Sequence, residues 1–148
     1  MIEEYFKSYI DKHDLMQEAL KELVDAKQSF YSLTGISYDD MPKGNKKPLG
    51  FDDLLGNIEH LEEEYAARKR EYEEEKEKYK KGIDGLEELS KIHKAIIKYA
   101  YLDFESNKTI TDSLKKYHNK DYSLGYVKIL KSNATNKFRK LITKYNLI

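Results

Sequence analysis

Apolar positions recur along this chain at intervals of three, four and seven, and that spacing predicts helices from end to end. Over residues 2–31 they fall at Ile2, Tyr5, Phe6, Tyr9, Met16, Leu20, Leu23 and Phe30, with Lys and Glu filling the other faces. Residues 32–50 break the pattern. They hold both prolines, Pro42 and Pro48, and three of the seven glycines, and read as a loop that Leu33, Ile36, Tyr38, Met41 and Leu49 could pin down. A second long helix is expected over residues 51–81, on a strict seven-residue repeat. One repeat position holds Phe51, Ile58, Tyr65, Tyr72 and Tyr79, and the other holds Leu54, Leu61, Arg68 and Glu75. Sustained heptads imply helix lying on helix at a shallow angle. The first helix is therefore expected antiparallel to residues 51–70, burying Tyr9, Met16, Leu23 and Phe30 against Leu54, Ile58, Leu61 and Tyr65. The charged second half of the long helix reads as a solvated arm.

Gly82 and Gly85 should interrupt this arm, since each glycine costs about 1 kcal/mol of helix propensity relative to alanine. A third helix is expected over residues 86–104, with Leu86, Leu89, Ile92 or His93, Ile96 or Ile97, Ala100 or Tyr101, and Phe104 on one side. After a turn at residues 105–108, Thr109 or Thr111 is expected to cap a short helix ending at His118. Residues 119–121 form a second turn, and Ser123 caps a last helix reaching Tyr145. The fold class is all-α. A helical hairpin and coiled-coil arm (residues 1–81) precedes a basic three-helix domain (residues 82–148).

Composition narrows what this fold does. Charged residues make up 36% of the 148, hydrophobic ones 39%, and there is no Cys. Thiol chemistry, disulfides and Cys-bound zinc are excluded. No apolar run approaches a membrane span, and the opening residues do not read as a signal peptide, so a cytoplasmic protein is expected. The net charge of zero hides a division. Residues 89–148 carry 13 Lys/Arg and 4 Asp/Glu, so 13 − 4 = +9; residues 1–88 carry 14 and 23, so 14 − 23 = −9. A basic segment on a neutral chain suggests a polyanion-binding surface.

The last helix divides cleanly around its axis. Val127, Leu130, Ala134, Phe138, Leu141 and Tyr145 converge on one side. Gly125, Lys128, Ile129, Ser132, Asn136 and Arg139 lie opposite, with Asn133 and Lys140 at the margin. That outer face combines small residues for close approach, amide and hydroxyl groups that read base edges, and cations for phosphates. A short helix, a turn and a longer basic helix follow the helix-turn-helix plan. The expected DNA-binding set is Lys115, Lys116, Lys120, Ser123, Gly125, Lys128, Ile129, Lys131, Ser132, Asn136, Lys137 and Arg139. Phosphate contacts would come from Lys115, Lys116, Lys120, Lys131 and Lys137.

No enzyme chemistry is expected. His13, His60, His93 and His118 are scattered and form no metal-ligand motif, and His60 with Glu64 is an ordinary helical pair. Asp52 and Asp53 suit a helix start. Gly44-Asn45-Lys46-Lys47 lacks both the strand and the Lys-Ser/Thr ending of a phosphate loop. No cofactor or metal is implied.

Three stretches together resemble a known family. Ser37-Tyr38-Asp39-Asp40-Met41-Pro42-Lys43-Gly44 is similar to a Met-Pro-x-Gly linker. Ala95-Ile96-Ile97-Lys98-Tyr99-Ala100-Tyr101 is similar to the end of that family's third helix. Tyr122-Ser123-Leu124-Gly125-Tyr126-Val127 stands where the family has a Tyr-Ser-x-x-x-Val start to its recognition helix. The family is that of the ArpU/RinA-like phage transcriptional regulators, with a sigma-factor-like helix-turn-helix. Two departures stand out: Ser106-Asn107-Lys108-Thr109 lacks the family's glycine, and the 118–121 turn is longer. The resemblance implies a phage or prophage regulator of late genes that binds double-stranded DNA and works with RNA polymerase. A homodimer is expected from the length of the tyrosine seam, which a first helix aligned with its start would not cover. The competing reading is a phage protein that binds a host or mobile-element protein through the hairpin, as an anti-defence inhibitor or derepressor.

Overall fold

The computed structural model describes residues 2–34 and 51–148. The expected loop and the Met-Pro-x-Gly segment lie outside the described residues. Every regular element among the described residues is helical: α1 (Ile2–Tyr5), α2 (Lys7–Thr34), α3 (Phe51–Asp84), α4 (Lys91–Ile97), α5 (Asn107–His118) and α6 (Leu124–Lys144). A single π-helical turn, Lys98–Leu102, continues α4. The all-α class is thereby established. The chain divides into two compact units, one of residues 1–10 with 74–148 and one of residues 11–73.

The second unit is a helix pair. His13 meets the Tyr72 ring at 5.5 Å, and the Lys27 ammonium lies 3.2 Å from Glu62. Residue number rises along α2 as it falls along α3, so the two run antiparallel. Met16, Ala19, Leu23 and Ile58 are buried, while Phe30, Leu54, Leu61 and Tyr65 are half-buried. Tyr9 departs from its expected place. It is fully buried in the other unit, where its hydroxyl donates to the Leu102 carbonyl and its ring faces Tyr79 and Phe104. A heptad fixes which face is buried and leaves the longitudinal register open. In the observed register the start of the chain lies beside the far end of α3.

The first unit has two centres. Ala95, Ile96, Ile110, Leu114 and Val127 form one, with Ile92, Tyr99, Ala100, Tyr122 and Leu130 around it. This cluster ties α4, α5 and α6 together. The other is aromatic. Phe6 stacks on Tyr101 at 5.2 Å and on Phe138 of α6 at 5.8 Å, and Tyr5 meets Phe138 and Tyr79 edge-on. Glu75, a polar heptad position, is buried and accepts a hydrogen bond from the Ser8 hydroxyl at 3.0 Å.

Four boundaries differ from expectation. Helix α3 runs through Gly82 to Asp84. Ile83 is fully buried, and burying that side chain is worth about 1.5–3 kcal/mol, more than a glycine costs. Leu86 and Leu89 then fall in a turn, and α4 starts only after Ser90, whose Oγ accepts from the His93 N–H at 3.2 Å. Helix α5 starts at Asn107, capped by Ser106, whose Oγ accepts from the Thr109 N–H. Thr111 instead donates to the Asn107 carbonyl. Phe104, expected in the third helix, takes a left-handed backbone (φ 53°) just beyond the π turn, its ring stacked on Tyr9. That conformation costs a bulky residue roughly 1–2 kcal/mol.

Candidate nucleic-acid interface

Helices α5 and α6 are joined by residues 119–123. Asn119 adopts the left-handed conformation (φ 52°), which asparagine tolerates better than most residues, and the Lys120 N–H closes the end of α5 on the Leu114 carbonyl at 3.1 Å. The His118 imidazole lies 3.0 Å from the Tyr99 hydroxyl, fixing this corner against the π turn. Ser123 caps α6 as expected, its Oγ accepting from the Tyr126 N–H at 3.2 Å.

The inner side of α6 is buried at Val127, Ala134, Phe138, Leu141 and Ile142. Leu130 is half-buried. Tyr145 departs from the expected inner face. It follows the last helical residue, is half exposed, and its hydroxyl donates to Glu88, holding that carboxyl below its usual range.

The outer side is solvent-exposed at Gly125, Lys128, Ile129, Ser132, Asn136 and Arg139, with Asn133 and Lys140 beside them. At 3.6 residues per turn, Gly125, Ile129, Ser132 and Asn136 fall within roughly 60° of one another, over about 16 Å of helix. Lys116 of α5, Lys120 of the turn and Lys137 of α6 are exposed as well. Lys115 lies 4.0 Å from Asp121; both are strongly exposed, and such a pair is worth no more than about 1 kcal/mol. Lys131 is half-buried and its ammonium donates to Asn107 Oδ1 at 3.3 Å, so in this conformation it ties α6 to the start of α5.

Sequence reasoning missed the support for this face. Phe138, in the middle of α6, is clamped from behind by Tyr5 and Phe6. It also missed the Tyr122–Tyr126 edge-to-face pair at 4.9 Å beside the turn. The spacing of Tyr122 and Tyr126, four apart across a helix start, was the available signal.

No family model matches the chain, and neither the curated proteins nor the solved structures contain a match. Among the described residues no group of His, Asp and Glu is placed to hold a metal ion, and no helix is long and apolar enough to cross a membrane.

Proposed function

We propose that this chain is a DNA-binding transcription regulator of a phage or prophage, acting in the bacterial cytoplasm. In this reading α5 and α6 form a helix-turn-helix, and α6 lies in the major groove. The observation that carries it is the exposed strip of Gly125, Ile129, Ser132 and Asn136, with Lys128 and Arg139 beside it and Lys116, Lys120 and Lys137 also exposed, on the segment of the chain with a +9 balance. Amide and hydroxyl groups read base edges, and the cations neutralise phosphates. The sequence resemblance to late-gene activators supports the same reading and adds RNA polymerase as a partner for the acidic hairpin.

The homodimer was expected from an uncovered tyrosine seam. Tyr72 and Tyr79 are met within the chain, by His13 and by Tyr5, Phe6 and Tyr9. The seam therefore supplies no reason for a second copy, and one copy per half-site suffices for this reading.

The test is selection of a binding site from a random-sequence duplex library, followed by two substitutions. Asn136→Ala should cost about 1–3 kcal/mol on the selected site and little on random duplex. Lys120→Ala should weaken both alike. Equal losses from the two variants on both duplexes would refute base reading by α6.

A further inference from the structure

We infer that Ile129 is a specificity-determining residue that recognises the 5-methyl group of thymine; this rests on the DNA-binding reading above and deepens it. Ile129 is 58% exposed at the centre of the outer strip of α6. The other large apolar exposures on this helix lie at its first turn: Leu124 is its first residue, and Tyr126 packs edge-on against Tyr122. One turn before Ile129 stands Gly125, where an added Cβ would meet nothing within 4 Å. Neither residue is there for the free helix. A β-branched side chain and a glycine both lower helix propensity, and neither is needed for packing inside the chain.

The two belong together geometrically. Helical side chains lean toward the N-terminus, so the Ile129 side chain overlies the bare turn at Gly125. The result is a low apolar patch flanked by Lys128 on one side and followed by Ser132 and Asn136. Tyr126, three residues back, is also exposed but packs edge-on against Tyr122; the other exposed neighbours, Lys128, Ser132, Asn133 and Asn136, are cationic or polar, whereas a protein partner would favour a broader apolar surface. Charge complementarity therefore selects duplex DNA as the occupant. Within the major groove the only apolar feature at base edges is the thymine methyl.

The experiment uses the full chain and a site selected from the random duplex library. Each thymine of that site is replaced in turn by deoxyuridine, which removes the methyl and keeps every hydrogen-bonding group. At one or two positions the replacement should weaken binding about fourfold, the factor for one buried methyl. Ile129→Ala should lower affinity for the thymine site and be indifferent to uracil at those positions. Its melting temperature should not fall and should rise slightly, since the side chain is exposed and alanine is the better helix former. Gly56→Ala serves as a control in α3, where space is equally open; it should leave affinity unchanged. Indifference of the parent protein to uracil at every position would overturn the inference while leaving DNA binding intact. So would a uracil penalty that survives in Ile129→Ala. If no site is selected and no duplex is bound, the DNA-binding reading itself fails and Ile129 falls with it.

Discussion

His93 shows how much a single residue can couple this fold to pH. Its Nδ1 is buried without a hydrogen-bond partner. Burial, reinforced by the nearby Lys137 ammonium, holds the imidazole below its ordinary value. The unfolded chain then binds a proton at a pH where the folded chain does not. Stability from this group is complete above the unfolded value of about 6.5 and is lost as pH falls from there toward the folded value. The melting temperature should therefore drop more between about pH 7.5 and 5.5 in the parent than in His93→Leu. Identical drops would show that the fold does not hold His93 below its ordinary value. None of this was legible in the sequence, where His93 is one of two alternatives on a helical face. Burial of one ring nitrogen depends on what the neighbouring helix brings.

At the scale of elements, periodicity identified what is helical and missed where helices begin and end. The heptads placed Ile58, Tyr65 and Tyr72 on the covered side of α3 correctly. Glycine counting placed the end of α3 too early, because Ile83 gains more from burial than Gly82 costs. Thr109 and Thr111 were the expected caps of α5, but Ser106, placed in the preceding turn, takes that role, because any Ser or Thr near a helix start satisfies the capping pattern. Least legible was the pairing of the first residues with α6. Phe6 is 132 positions from Phe138, and no local pattern reports a contact at that separation. The contact makes a strong prediction. Phe6 is fully buried between Tyr101, Tyr79 and Phe138. Phe6→Ala should cost about 3–5 kcal/mol of stability, read by denaturant unfolding followed by circular dichroism. A loss below about 1 kcal/mol would mean that the N-terminal residues do not support the unit containing α6.

For the whole molecule, charge and burial tell one story. The helical wheel of α6 separated Val127, Ala134, Phe138 and Leu141 from Gly125, Ile129, Ser132 and Asn136 as the fold does. The candidate face was thus readable, except at Lys131, whose tether to Asn107 depends on the packing of α5, and at Tyr145, which lies past the end of the helix. The tyrosine seam suggested a second copy only because its cover was placed at the wrong end. With Tyr72 and Tyr79 met inside the chain, sedimentation at tens of micromolar should show a monomer in the absence of DNA. A stable dimer there would require an interface other than the seam.

The central claim is that the exposed face of the basic half binds duplex DNA, and its most direct test is the salt dependence of that binding. Lys116, Lys120 and Lys137 are exposed around α6. Neutralising a phosphate with each should give a log–log slope of affinity against salt of about −3 for the full chain on a fluorescently labelled duplex. Across about 50 to 200 mM salt, that corresponds to a fall of roughly fifty-fold in affinity. Affinity that is absent at the lowest salt, or unchanged across that range, would contradict the account.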